Sequence, residues 1–454
     1  MLLMPASLFA LGDKDYDPTT LVFPSFLHTM GIRKATKMHL MIYTRNRVKV
    51  RNPQGIAVVR LTSWDDPNKK KDDDEVTGYG VNAGENIIVY NKSMTSLGFY
   101  GKNETGIKKL NHPTGITANA RGDVYVADTG NHRIVRLFNP KQALNFVRAI
   151  GGRGALPGQF MAPQGIAMDS HDMVYVSDTG NQRIQVLRPD DQLHLWFGDQ
   201  GVEDGQLWHP AGIAVTNGKE RWSHFKDAFI VVVDLDGKRL QKFTLDGMFV
   251  RGVRLSDLKL DEGRFAYLAL DYYSNVWVTD TVNHCIHKFD RELNYLTTFG
   301  RKGHGDKEFD EPRGMAIYKR FGQVFVAEKE SAQYYWIGTD ILDFEAKQDT
   351  VARWVELSFF LTEPSYLTLT VRDEKNKGEI TVFKRAKFFT GQQSVLLGGN
   401  WQRMSSSGTQ PHDGSGPDLE PMKSGRYRLE LKVEPTYSSI NYFAKNVETS
   451  LAIP

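Results

Sequence analysis

The sequence predicts an all-β protein: a six-bladed β-propeller followed by a β-sandwich. Three observations carry this. First, Pro113-Thr-Gly-Ile-Thr followed by Val124-Tyr-Val-Ala-Asp-Thr-Gly-Asn-His-Arg-Ile recurs almost unchanged as Pro163-Gln-Gly-Ile-Ala followed by Val174-Tyr-Val-Ser-Asp-Thr-Gly-Asn-Gln-Arg-Ile, and a repeat decides the architecture before any other reading. Second, each copy consists of apolar, β-branched runs of strand length separated by turn residues. Third, the repeat stops after Ile341 and strands of period two replace it.

Weaker copies begin at Pro53-Gln-Gly-Ile-Ala, Pro210-Ala-Gly-Ile-Ala, Phe265-Ala-Tyr-Leu-Ala and Pro312-Arg-Gly-Met-Ala. The long intervals contain visible insertions: the charged run 65–75, the segment 222–227 and the segment 256–262. Within a copy, Gly-Ile-Ala and Val-Tyr-Val are strands. Asp-Thr-Gly-Asn is a turn in which Asp and Asn bond their own backbone and Gly130 or Gly180 can take positive φ without steric cost. A further strand such as Asn145-Phe-Val-Arg-Ala-Ile precedes Gly-Gly. Four strands in roughly 45 residues make one propeller blade.

These motifs resemble the NHL repeat, whose Asn-His-Leu-like triplet appears here as Asn131-His132-Arg133 and Asn283-His284-Cys285. The resemblance covers roughly residues 38–341 and implies six blades. The copy at Pro210 departs at Val233-Asp-Leu-Asp-Gly, and the last copy at Ala327-Glu-Lys-Glu-Ser. The last copy has room for only three strands. Met38-His-Leu-Met-Ile-Tyr reads as a lone strand upstream, so residues 38–43 are expected to complete the last blade and leave no bare edge.

Residues 342–454 form the second domain. Trp354-Val-Glu-Leu-Ser-Phe-Phe-Leu-Thr, Tyr366-Leu-Thr-Leu-Thr-Val-Arg-Asp, Ile380-Thr-Val-Phe-Lys-Arg and Tyr427-Arg-Leu-Glu-Leu-Lys-Val alternate with period two, as sandwich strands do. The order of pieces is similar to the Ig-like domain of the flagellar hook-capping family: the strand before Glu363, the strand ending Val371-Arg-Asp, Gly391 before Gln-Gln-Ser-Val, and the closing Ser424-Gly-Arg-Tyr-Arg-Leu. Gly398-Gly-Asn-Trp stands where that family has Trp-Asp-Gly, and a polar loop over 405–417 follows. The resemblance implies an extracytoplasmic module for assembly or display.

Composition bounds the rest. Among 454 residues the formal net charge is +3, which gives no electrostatic argument for nucleic acid as a partner. The basic tract Arg33, Lys34, Lys37, Arg45, Arg47, Lys49 and Arg51 reads as a solvated face. One cysteine, Cys285, excludes an intrachain disulfide and reads as a buried, inert thiol. No stretch of 18 apolar residues marks a transmembrane helix. Residues 1–37 read either as the remnant of a secretion signal or as an apolar arm that docks during assembly.

Catalysis would require ionisable groups converging in the channel. In this repeat the residue after the Pro faces the channel mouth, which gives Gln54, Thr114, Gln164, Ala211, Ala266 and Arg313. The amidating lyases that resemble this fold place three His there for zinc, and none of these positions is His. Asp128, Asp178, Asp234, Asp280 and Glu328 recur once per copy, and such periodicity marks them as turn caps. His112 and His209 read as rim residues. His284 and His287 fall on opposite faces of a strand and do not share an ion. Trp196 and Trp208 read as blade packing, and Trp222 as an exposed anchor. The expectation is a non-catalytic binding or assembly protein without a cofactor, extracytoplasmic, whose partner is a protein, peptide or glycan. Its contact residues are Gln54, Thr114, Gln164, Arg313 and Trp222. The alternative is a divalent-metal-dependent lactonase or lyase working in the channel.

Overall fold

A computed structural model describes residues 18–24, 34–45, 47–64, 76–93, 96–141, 143–349, 354–375, 378–398, 401 and 423–454. The expected loops at 65–75 and 405–417, and most of the N-terminal segment 1–37, lie outside the described residues. The chain divides into two compact units, residues 26–335 and residues 1–25 with 336–454.

The larger unit is a β-propeller. Its sheets follow the repeat: blade 1 from Pro53–Val59, Thr77–Asn82, Ile87–Ser93 and Ser96–Tyr100, and blade 2 from Ile116–Ala118, Asp123–Asp128, Arg133–Phe138 and Asn145–Ile150. Blades 3, 4 and 5 begin at Ile166–Met168, Ile213–Asn217 and Phe265–Leu270, each a four-stranded antiparallel sheet. Blade 6 has Met315–Tyr318, Gln323–Ala327 and Ala332–Ile337. The core lies between blades. Tyr79, Val81 and Ile88 of blade 1 pack with Val124, Val126 and Val135 of blade 2, and Val231, Val233 and Leu240 of blade 4 pack with Phe265, Val276 and Val278 of blade 5. Full burial of such a side chain stabilises by roughly 1.5–3 kcal/mol.

The hub explains the Pro-x-Gly motif. A Cβ built on Gly55, Gly115, Gly165, Gly212 or Gly314 would lie 2.7, 2.3, 1.9, 2.3 or 2.1 Å from the carbonyl oxygen of Thr114, Gln164, Ala211, Ala266 or Gln54. Each glycine therefore lets one inner strand approach the next, and the Gly314–Gln54 approach closes the ring.

Two expectations need correction. Residues 38–43 are not a strand: Lys37–Tyr43 is a helix. The Thr36 N–H donates to His39 Nδ1 at 3.2 Å, in a reciprocal capping arrangement, and Lys, Met and Leu favour helix once it is nucleated. A short apolar run does not discriminate helix from strand by itself. Lys34–Ala35 instead lies beside the last blade, with Lys34 opposite Gln333 and Ala35 opposite Ala332. The second correction concerns Gly130 and Gly180. The left-handed residues are the ones two positions on, His132 (φ 54°) and Gln182 (φ 57°). Gly130 and Gly180 are required by proximity, since a Cβ would fall 2.7 Å from Asn111 and 2.4 Å from Met161.

In the other unit, Ile341–Asp349, Trp354–Leu361 and Gly391–Leu397 form one antiparallel sheet, and Ser365–Asp373, Glu379–Phe388, Gly425–Pro435 and Lys445–Ile453 form another. Leu357, Phe359, Leu369, Leu429 and Leu431 share one core. Trp401 joins it, its ring 4.9 Å from that of Tyr427. Leu21–Val22 pairs with Trp336 and Ile337. The Lys445 ammonium bonds Asp340, whose Oδ2 accepts the Thr19 N–H at 3.2 Å.

Candidate binding site at the channel mouth

Each blade first fixes its own turn. Asp178, fully buried, accepts hydrogen bonds from Met161 N–H (2.7 Å), Asn181 Nδ2 (2.8 Å), Arg183 Nε (2.8 Å) and Gln185 Nε2 (2.9 Å). Arg183 then donates to the carbonyls of Ala155, Leu156 and Gln159, which ties the incoming linker to the blade. Asp128 with Asn131 and Arg133, and Asp234 with Arg239 and Gln241, repeat the pattern. In blade 1 Asn82 takes the Asp position and accepts Arg51 N–H at 2.8 Å. In blade 6 Glu328 bonds Gln333 and pairs with Lys34 at 3.1 Å. These carboxylates hold turns, as their periodicity implied.

A second repeated contact joins blade to blade. Asn86 Oδ1, His132 Nδ1, Gln182 Oε1 and His284 Nδ1 accept the backbone N–H of His112, Ala162, His209 and Glu311. Each donor precedes the motif Pro and is itself left-handed, with φ between 44° and 50°. The His of the Asn-His triplet is thus an inter-blade acceptor, while His112 and His209 enter the staple through their backbone N–H, as Ala162 and Glu311 do.

With the blades fixed, the expected mouth residues converge. Gln54, Thr114, Gln164, Ala211, Ala266 and Arg313 line a single cavity of about 580 Å3 at one end of the channel. Gln54 Oε1 accepts from the Tyr267 hydroxyl (2.8 Å) and its Nε2 donates to Asn52 (2.9 Å). Thr114 Oγ1 donates to the Gln164 carbonyl (3.0 Å) and lies 2.8 Å from Thr129 Oγ1. The Gln164 side chain has no hydrogen-bond partner among the described residues, so its amide faces the cavity. Arg313 bonds Asn52 and, at 2.9 Å, Glu311. The Lys329 ammonium, 2.6 Å from Glu311, and Arg313 beside it hold the Glu311 carboxyl below its usual value.

Trp222 does not join this set. It lies at the opposite end of the channel, on the 218–227 insertion, with Arg221 and Arg320 against its ring at 5.0 and 4.8 Å. Trp208 is half-buried with its ring 5.0 Å from that of His209. Trp196 is 49% exposed on the outer strand of blade 3, so its role as blade packing is not supported.

Two mouth features escaped the sequence reading. Tyr267 stands in blade 5 where other copies have the hub Gly, and burial pushes its phenol up. The signal was present in Phe265-Ala-Tyr-Leu-Ala, which lacks the glycine. The other is a pair: His209 Nδ1 lies 2.8 Å from Asp236 Oδ1 at the mouth. No motif announces it, because the two residues are 27 positions apart.

Away from both ends, Asp280, Cys285 and His287 form a buried cluster in blade 5. His287 Nε2 is 3.3 Å from Asp280 Oδ2 and its Nδ1 2.7 Å from Thr298 Oγ1. His287 occupies the place of Gln185 and Gln241, and Cys285 that of Arg183 and Arg239. Burial opposes the charge on Asp280, but His287 and the N–H groups of Asn283 and Arg264 outweigh it and hold the carboxyl well below the usual range. Burial pushes the Cys285 thiol up.

A family model for the NHL repeat matches residues 110–137 and 160–187. No curated protein matches the chain. Solved structures similar to it include a virginiamycin B lyase from Staphylococcus aureus, 14% identical with a TM-score of 0.41 over 57% of this chain and 76% of that one. A structural genomics protein of unknown function from Bacteroides thetaiotaomicron is 14% identical with a TM-score of 0.45 over 64% of this chain and 70% of the other. A luciferin-regenerating enzyme is 13% identical with a TM-score of 0.43 over 66% and 94%. The chain carries NHL repeats and folds as a β-propeller; at these identities the structural likeness concerns fold alone.

Proposed function

We propose that the protein is a non-catalytic binding or assembly protein that presents the Gln54–Gln164–Arg313 mouth to a protein, peptide or glycan. One observation carries the reading: six positions from six blades form one cavity, five of them amides, a hydroxyl and small side chains and the sixth Arg313, while the recurring carboxylates are engaged in their own turns. Hydrogen-bonding groups around a concave rigid surface, with Arg313 as a charged contact, suit recognition. The second domain supports a site of action outside the cytoplasm through its similarity to hook-capping Ig-like modules, whose role is assembly or display. No described helix is long and apolar enough to cross a membrane.

The test is a photo-crosslinking residue at position 164, introduced into the full chain in its native source. A discrete adduct is expected. Excess wild-type protein should compete it away, and a Gln54→Ala, Gln164→Ala, Arg313→Ala variant should not. Equal competition by the variant would remove the mouth from the binding surface.

A second reading is divalent-ion chemistry of the lactonase or lyase type, for which the His209–Asp236 pair would supply the ionisable groups at this mouth. It requires a stoichiometric divalent ion in the purified protein that Asp236→Asn releases.

A further inference from the structure

The opposite end of the channel is chemically unlike the Gln54 mouth. It is a cavity of about 660 Å3 whose lining includes Arg60, Arg121, Arg221, Lys319 and Arg320, drawn from blades 1, 2, 4 and 6. Three carboxylates line it as well, and each is already engaged. Asp172 pairs with Arg121 at 2.7 Å and accepts Asn119 Nδ2 at the same distance. Asp169 accepts the backbone N–H groups of His171 (2.8 Å) and Met173 (3.0 Å). Glu220 accepts Thr216 Oγ1 (2.8 Å) and Asn217 N–H (3.0 Å).

Arg121 is paired with Asp172, and two other cations are held in place without an ion pair among the described residues: Lys319 and Arg221. The 218–227 insertion crosses blade 5, where His224 N–H donates to the Tyr272 carbonyl at 2.8 Å. This brings Trp222 to blade 6, and Arg221 and Arg320 are held against one indole. Among the described residues no ion pair or hydrogen bond holds the Lys319 ammonium or the Arg221 guanidinium. Burial pushes the Lys319 ammonium down, opposed by Glu220 and Asp271 and reinforced by Lys226. Glu220 and Asp271 act on this ammonium from beyond ion-pair distance, so burial is offset only in part, and an anion in the cavity would complete it. The whole chain carries a net charge of only +3, so this concentration of positive charge is local.

We propose that this end of the channel binds a sugar-sized small molecule through an oxyanion (carboxylate, phosphate or sulfate), with Lys319 and Arg221 as its principal charge partners and Arg121 and Arg320 at the rim. The volume lies within the range of small-ligand sites, about 300–1,000 Å3. Guanidinium and ammonium groups give short charge-assisted bonds to such oxygens. The inference is independent of the partner site at the other mouth.

Calorimetry on the full chain tests it, with sodium phosphate, sodium sulfate and sodium glucuronate at chloride-matched ionic strength, and glucose as the neutral comparison. Saturable binding of at least one anion and none of glucose is expected. Glucuronate binding without phosphate or sulfate would identify a sugar acid; the inorganic ions alone would identify a free oxyanion. Lys319→Gln and, separately, the exposed Arg221→Gln should each weaken binding by about tenfold or more. Lys347→Gln, in the other unit, should leave it unchanged. Absence of saturable binding for all three anions overturns the proposal, and so does binding that neither Lys319→Gln nor Arg221→Gln weakens. Arg221 lies on the surface, so its variant keeps the test open if Lys319→Gln fails to fold.

Discussion

At the residue scale the recurring Asp is a structural group with a measurable contribution. Asp178 is fully buried and compensates Arg183, itself nearly buried. Asp178→Ala would leave that guanidinium without its carboxylate, and removing one partner of a buried pair costs about 3–5 kcal/mol. Chemical denaturation should show a loss of that size. The same position in blade 5 gives a pH dependence. Asp280 has a folded-state value below its unfolded one, so its stabilisation is present above the ordinary carboxylate range near about 4 and is lost as pH falls. Melting curves between about pH 5 and pH 3 should therefore fall more steeply for the wild type than for Asp280→Asn. Equal slopes would mean that the carboxyl is not held down by His287 and its backbone donors.

At the element scale the hub glycines set blade spacing. A Cβ on Gly165 would lie 1.9 Å from the Ala211 carbonyl, whereas one on Gly80 meets nothing within 4 Å. Gly165→Ala is expected to destabilise by at least the about 1–3 kcal/mol typical of overpacking. Gly80→Ala, in a blade 1 strand, should change stability by under about 1 kcal/mol. Parity between the two variants in thermal melts would contradict the hub geometry. The last blade supplies a second test. Deleting residues 1–36 removes both Leu21–Val22 and Lys34–Ala35, which pair with the strand Ala332–Ile337, and leaves that strand without its outer neighbours. Exposed strand edges recruit other chains, so the truncated protein should run as higher-order species in size-exclusion chromatography while the full chain does not.

Most of this element scale was legible in the sequence. The Pro-x-Gly and Val-Tyr-Val motifs located the propeller strands, and period-two alternation located those of the sandwich, because both patterns are local. What was not legible depended on distance in space. Met38–Tyr43 has the composition of either helix or strand, and the decision rests on a cap formed by Thr36 and His39. Gly130 looked like a φ requirement, but its neighbour Asn111 is the reason for it. The staple from His132 to Ala162 joins residues of two blades, so a reading of one copy at a time cannot see it.

At the scale of the whole molecule, five neutral or small positions and Arg313 converge at one mouth, and a group of cations lies at the other. The first set followed from the repeat register, since every blade contributes its residue at the same place. Trp222, expected as an anchor on an insertion, lies at the other end, which the repeat could not indicate because an insertion has no register. The 218–227 segment carries it to blade 6, a path set by its contacts with Tyr272 and Ser274. The blades follow one pattern, while the two ends of the channel differ in their chemistry.

The central claim is that the ring's recurring carboxylates hold turns, and the proposal resting on it is that the mouth recognises a partner without reacting. Metal analysis of the protein purified without chelator, paired with its melting temperature before and after EDTA, tests this most directly. The account expects far less than one divalent ion per chain and an unchanged melting temperature. One stoichiometric ion, removed by EDTA and absent from Asp236→Asn, would contradict it.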